Sequence, residues 1–279
     1  MDITTIFELL AIMIPTGIFA GFLAGLLGVG GGIIFVPVLY FVFTCFFHMS
    51  EANSIVLATG TSLGCMIPTS LSSCLSHYRR GNLDLALLRR WSPMLLLGVF
   101  AGSALSANYG GMWLCGLFGI ILILSSLNMM FRAKAPPLKD QLPGMPGQSA
   151  MAFGISGFSV MLGIGGGTLS VPLLTLFNFP ARMAIGTASA IGLFICVPGA
   201  VNMLVLGGSI SDPNLPWGTC GKLCLTAVAG IVPFSILTAP LGVKVNRMID
   251  PLLLKKLFSI LLILTGSKML YNAIVSFMV

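Results

Sequence analysis

Two stretches of the chain set three consecutive glycines between apolar runs. They read Gly28-Val-Gly-Gly-Gly-Ile-Ile-Phe-Val-Pro37 and Gly163-Ile-Gly-Gly-Gly-Thr-Leu-Ser-Val-Pro172. A glycine inside a helix costs about 1 kcal/mol relative to alanine, so such a run predicts a break. A helix that restarts after the break leaves its first N–H groups unbonded, and its dipole adds partial positive charge there. The free donors would be Gly31, Gly32 and Ile33 in one stretch, and Gly166, Gly167 and Thr168 in the other. That is the chemistry of anion binding by groups that carry no formal charge. The other use of such glycines is close helix packing. Packing is the stronger reading for Gly17, Gly21 and Gly25, which repeat every four residues along one helix face.

Hydroxyls follow each break. Thr59, Thr61 and Ser62 sit about two turns into the next apolar segment, and Thr187 and Ser189 hold the matching place further on. Hydroxyls donate to the oxygens of an anion without burying a charge. Their alternative partner in a membrane helix is the carbonyl one turn back. Lys268 lies deep in the last apolar run with no acid near it, and Asn128 is its counterpart in the first half. An ionisable residue at that depth is a functional candidate, unless its stem snorkels to the interface.

Groups for bond-breaking chemistry are missing. The acids are Asp2, Glu8, Glu51, Asp84, Asp140, Asp212 and Asp250, and all but Glu8 fall in loops or at segment ends. The histidines are His48 and His77. There is no oxygen-rich cage for a divalent cation, no paired intramembrane aspartate, no HExxH motif and no Walker A sequence. No catalytic residue, metal or cofactor is expected, which argues against a membrane hydrolase or an ATPase.

The elements that must position these residues are membrane helices. Of 279 residues, 57 % are apolar and only 8 % charged, and the mean hydropathy is +1.04. A soluble domain carries about 25 % charged residues. Apolar segments run near 3–27, 33–47, 53–76, 92–107 and 110–131, then near 150–163, 168–179, 183–206, 219–243 and 252–278. Runs of about 20 residues cross a hydrocarbon core of about 30 Å. The net charge of +7 does not indicate nucleic acid, because the basic residues form short clusters between apolar runs without interleaved aromatics. The seven cysteines read as small apolar residues, with Cys220 and Cys224 placed to share one helix face. Asp2 and Glu8 stand where a cleavable signal would need basic residues.

The segments divide into two halves joined by a stretch rich in proline and charge. The expected organisation is a first transmembrane repeat over 1–131, a cytoplasmic linker over 132–148 and a second repeat over 149–279. The glycine stretches match at an offset of 135, Gly60-Thr61 matches Gly186-Thr187 at 126, and the Leu117–Met129 stretch matches Leu257–Met269 at 140. Three matches in the same order indicate an internal duplication. Twelve of the fourteen basic residues fall on one side if 53–76 runs inward and 183–206 outward. The halves then cross in opposite senses. The fold expected is an all-α polytopic membrane protein with two inverted repeats. Each repeat has a Gly-Gly-Gly-broken hairpin or discontinuous helix followed by three transmembrane helices, a plan of secondary transporters.

The doubled G-x-G-G-G-x(4)-P pattern, with Gly-Thr-Ser after one copy and Gly-Thr-Ala-Ser after the other, resembles the TauE/SafE family of sulfite exporters. Tyr78-Arg-Arg-Gly-Asn-Leu-Asp84 and the polar pair Asn128 and Lys268 also fit it, and the resemblance covers nearly the whole chain. In the second half Gly207-Gly208-Ser209 replaces the Arg-Arg-Gly-Asn-x-Asp stretch. The resemblance implies transport of sulfur-containing anions, namely sulfite, thiosulfate or organosulfonates such as sulfoacetate. It implies export across a bacterial cytoplasmic (inner) membrane by alternating access. Import, a channel for the same anions, or a non-transporting scaffold or stress factor are the alternatives. The partners expected are a small anion and membrane lipid, with the Gly17/Gly21/Gly25 face available to a homodimer.

Overall fold

The computed structural model describes residues 3–109, 141–205 and 210–278, with Gly208 and part of the 116–130 stretch. Asn128 and the linker residues 131–140 lie outside the described residues. The fold is mostly helical (80 %). The first half has α1 (Ile3–Leu27), α2 (Gly32–Phe41) continued by a π turn (Val42–Phe46), α3 (Glu51–Tyr78) and α4 (Leu85–Tyr109). The second has α5 (Met145–Leu162), α6 (Gly167–Leu176), α7 (Ala181–Val205), a hairpin of β1 (Thr219–Cys220) and β2 (Leu223–Cys224), α8 (Leu225–Asn246) and α9 (Pro251–Met278).

Among the described residues, five helices are long and apolar enough to cross a membrane: α1, α3, α4, α7 and α8. The protein is a multi-pass membrane protein. At 1.5 Å per residue, α2 with its π turn rises only about 22 Å and α6 about 15 Å, both short of a crossing.

The two breaks form as the glycines dictate. Gly28, Gly30 and Gly31 take φ of 71°, 71° and 86°, and Gly163 and Gly165 take 64° and 67°. Only glycine enters that left-handed region without steric cost, so α1 and α5 end there and α2 and α6 begin anew. Local capping sets other starts. The Ser50 hydroxyl accepts the Asn53 N–H at 3.4 Å to open α3, and an Asp84 carboxylate oxygen accepts the Leu87 N–H at 2.9 Å to open α4.

Glycines also let the helices pair closely. Gly17, Gly21 and Gly25 press on the carbonyls of Ile231, Ser235 and Ala239 in α8. That face is filled within the chain and is not free for a second copy, contrary to the sequence expectation. Gly98 and Gly102 of α4 press likewise on Phe153 and Gly157 of α5. One boundary also differs. Residues 219–224 form a hairpin rather than the start of a helix, because Gly218 and Gly221 turn the chain at φ 79° and 58°. Cys220 and Cys224 therefore sit on opposite strands, not on one helix face.

Candidate functional site

The two breaks meet at the centre of the bundle. A Cβ on Gly32 would lie 2.7 Å from Ile164 Cα and 2.8 Å from the Gly163 carbonyl oxygen. With the halves exchanged, a Cβ on Gly167 would lie 2.6 Å from Val29 Cα and on the Gly28 carbonyl oxygen. At the offset of 135, Gly32 corresponds to Gly167, Gly28 to Gly163 and Val29 to Ile164. The N-termini of α2 and α6 thus converge on one junction, and every glycine of both breaks is buried.

Helix starts leave backbone donors there. In α2 the first helical bonds run from the Ile34 and Phe35 N–H groups to the Gly31 oxygen, beyond Gly31, Gly32 and Ile33. In α6 the Ser170 N–H bonds to the Gly166 oxygen at 2.9 Å, beyond Gly167 and Thr168. The walls are apolar, with Leu27, Val29, Ile33, Ile164, Val171 and Ile185 packed around the breaks. Two helix N-termini aimed into such surroundings suit a small anion.

The expected hydroxyls divide by what they do. Ser62 donates to the Gly163 carbonyl at 2.7 Å, tying α3 to the opposite break. Thr61 accepts the Cys224 N–H and Thr187 the Asp84 N–H, both at 3.0 Å, so each anchors the loop that precedes a helix of the opposite half. Thr59, Thr168 and Ser189 donate to carbonyls one turn back, those of Val56, Gly165 and Gly186. All these residues are buried.

Lys268 stands apart from the junction. Its side chain is exposed on α9, whose buried face carries Ser259, Leu262, Gly266 and Ala273. That buried face pairs with Gly119 and with Ser126, whose hydroxyl donates to the Ser259 carbonyl at 2.6 Å. The depth of Lys268 along the helix was legible in the sequence. Its face puts it outside the junction.

Two residues at the junction escaped the sequence reading. The Met66 thioether lies between the breaks, with Sδ 2.7 Å from where a Cβ on Gly32 would be and Cε against Gly165. The buried Ser70 hydroxyl adjoins the Cys196 thiol without a hydrogen bond of full geometry, 2.8 Å from a Cβ position on Gly30. Among the described residues no group of three or more His, Cys, Asp or Glu side chains could hold a metal.

The family model for the sulfite exporter TauE/SafE matches residues 13–269, a span that includes both breaks. The chain belongs to the TauE/SafE family. This TauE/SafE member is 28 % identical over 267 residues to a "Probable membrane transporter protein" of Haemophilus influenzae, covering 94 % of this chain and 98 % of the relative. It is 30 % identical over 288 residues to "Probable membrane transporter protein YunE" of Bacillus subtilis, covering 95 % and 98 %. It is 25 % identical over 270 residues to "Probable membrane transporter protein MJ0441" of Methanocaldococcus jannaschii, covering 94 % and 96 %. No solved structure matches it. The TauE/SafE chain is a membrane transporter.

Proposed function

We propose that this transporter exports sulfur-containing anions, namely sulfite, thiosulfate or organosulfonates such as sulfoacetate, across a bacterial cytoplasmic membrane by alternating access. The observation that carries the reading is the junction of the two breaks, where α2 and α6 present their N-terminal donors together. A sulfonate spreads one negative charge over three oxygens. Backbone N–H groups of Gly31, Gly32, Ile33, Gly166, Gly167 and Thr168, with the Ser70 hydroxyl, would meet those oxygens without a buried cation.

The halves are proposed as inverted repeats, 1–131 and 149–279, joined by a cytoplasmic linker over 132–148. The exchange of equivalent contacts supports this: Gly28 presses on Ile185 as Gly163 presses on Thr59, and Gly60 on Lys222 as Gly186 on Asn82. An anion held where the halves meet is released to either side when one half rocks against the other.

Calorimetric titration of the purified protein tests the site. Sulfite, thiosulfate and sulfoacetate should bind saturably, and Gly31→Val or Gly166→Val should abolish binding while the protein stays in the membrane. Undiminished binding in both variants would leave the breaks a structural role alone. Cysteines placed in the linker should resist labelling from outside intact cells; strong labelling there contradicts the inverted arrangement.

A further inference from the structure

The chain has two histidines, and only His77 lies within a membrane-length helix. It is fully buried, at 0 % exposure. Its Nε2 lies 3.0 Å from the Gly25 carbonyl oxygen in the last turn of α1. A carbonyl only accepts, so Nε2 carries the proton and Nδ1 keeps a lone pair. That Nδ1 is buried and has no partner among the described residues.

The bond sits at a sensitive place. The Ala24 carbonyl accepts from the Ser73 hydroxyl at 3.1 Å, and the Leu26 carbonyl from the Asn246 side-chain amide at 2.7 Å. Three successive carbonyls of α1 thus receive side-chain donors directly before the break at Gly28. On its backbone side, the His77 carbonyl accepts the N–H groups of Arg80 and Asn82, each at 3.1 Å. The same loop runs on to Asp84, whose N–H is held by Thr187 in the other half. His77 therefore joins the turn before one break to the helix that flanks the other.

The corner itself does not require an imidazole. At the offset of 126 its counterpart is Met203, whose carbonyl accepts the Lys222 N–H at 3.1 Å as His77 accepts that of Asn82. The bond to the carbonyl is kept over an apolar side chain, although there it closes a 19-residue connection and at His77 a five-residue turn. Other titratable groups at this end are Cys74, Tyr78, Arg79 and Arg80 beside His77 in sequence, Asp84 in the loop, Arg182 of α7, and Lys244, Arg247 and Asp250 at the end of α8 and just beyond it. Glu8 is the sole titratable side chain of α1 and lies in its opposite half.

We propose that His77 Nδ1 is the site at which the transporter takes up and releases a proton during its cycle, which makes the proton the coupling ion. The proposal rests on the transport reading above. In this conformation a proton on Nδ1 would be a buried donor without an acceptor, which is costly. The protonated form needs a conformation in which the end of α1 parts from α3 and water reaches the ring. The protonation state of His77 then biases the turn before Gly28, and the sulfonate site with it.

Proteoliposomes holding a pH-sensitive dye and labelled sulfoacetate test this. Wild-type protein should accumulate sulfoacetate under an imposed pH gradient and report proton movement with it. His77→Gln keeps a donor for Gly25 but no proton to exchange. It should retain sulfoacetate-for-sulfoacetate exchange and lose accumulation driven by the pH gradient. His77→Met, copying the corresponding corner, should behave the same way and serves if the Gln variant does not fold. Gradient-driven accumulation in either variant overturns the proposal. Wild-type exchange with no proton signal also overturns it and leaves transport standing, whereas no sulfoacetate movement at all removes the transport reading as well.

Discussion

Met66 and Gly192 occupy corresponding positions in α3 and α7, one with a long thioether between the two breaks and the other with no side chain at all. The halves therefore share a backbone plan but not their filling. Met66 closes the junction on its own side. At Gly192 a Cβ would meet only the Ser70 oxygen, at 3.6 Å, an ordinary contact. The proposed sulfonate would sit on that side.

Gly192→Ala should accordingly fold normally and gain up to about 1 kcal/mol, since alanine replaces glycine inside a helix. Gly192→Met should instead fill the space beside Ser70 and lower sulfonate affinity severalfold. Parallel measurement of thermal stability and sulfoacetate binding separates the two effects. Wild-type affinity in Gly192→Met would place the substrate elsewhere.

Thr61 and Thr187 should be equally costly to replace by valine. Each substitution removes the acceptor of one backbone N–H, that of Cys224 or Asp84, and leaves that group unpaired. The expected loss is about 1–3 kcal/mol of stability per variant. Serine, which retains the oxygen, should restore most of it. A Thr187→Val variant as stable as the parent would show that the loop finds another acceptor.

A control pair separates crowding from loss of glycine. A Cβ on Gly154 meets nothing within 4 Å, while one on Gly167 falls on the Gly28 carbonyl of the opposite break. Gly154→Ala should preserve expression and transport. Gly167→Ala should abolish transport by forcing the breaks apart, and a normal rate in that variant would contradict the close approach described here.

Much of this fold could be read from the residues. The apolar run over 3–27 coincides with α1, and each glycine triplet marked the end of one helix and the start of another. The hairpin at 219–224 could not be read, because Thr219, Cys220, Leu223 and Cys224 resemble the start of the apolar helix that follows them. Its turns depend on Gly218 and Gly221. Near the junction, Thr61, Ser62 and Thr187 stood out because hydroxyls recur after each break, but their bonds go to loop N–H groups and to the Gly163 carbonyl, which the sequence did not indicate. Met66 and Ser70 did not stand out: a methionine and a serine in an apolar helix carry no signal alone. The usable clue was the alignment of the halves, which sets Met66 against Gly192 and Ser70 against Cys196.

Lys268 follows two residues after buried Gly266, which turns its side chain about 200° around the helix. Its side chain belongs to the exposed face of α9, and a lysine stem on such a face can snorkel toward an interface. Lys268→Ala should leave sulfonate affinity unchanged within about twofold, a difference of about 0.4 kcal/mol, and Lys268→Arg should match the wild type. A tenfold loss on Lys268→Ala, about 1.4 kcal/mol, would return it to the substrate path.

The central claim is that the junction of the two glycine breaks carries a sulfur-containing anion across the membrane. Counterflow in proteoliposomes tests it most directly. Vesicles loaded with unlabelled sulfoacetate should take up labelled sulfoacetate transiently and saturably, sulfite and thiosulfate should compete, and Gly31→Val and Gly166→Val should each abolish the uptake. Uptake that never saturates, or that persists at the wild-type rate in both variants, would contradict the account.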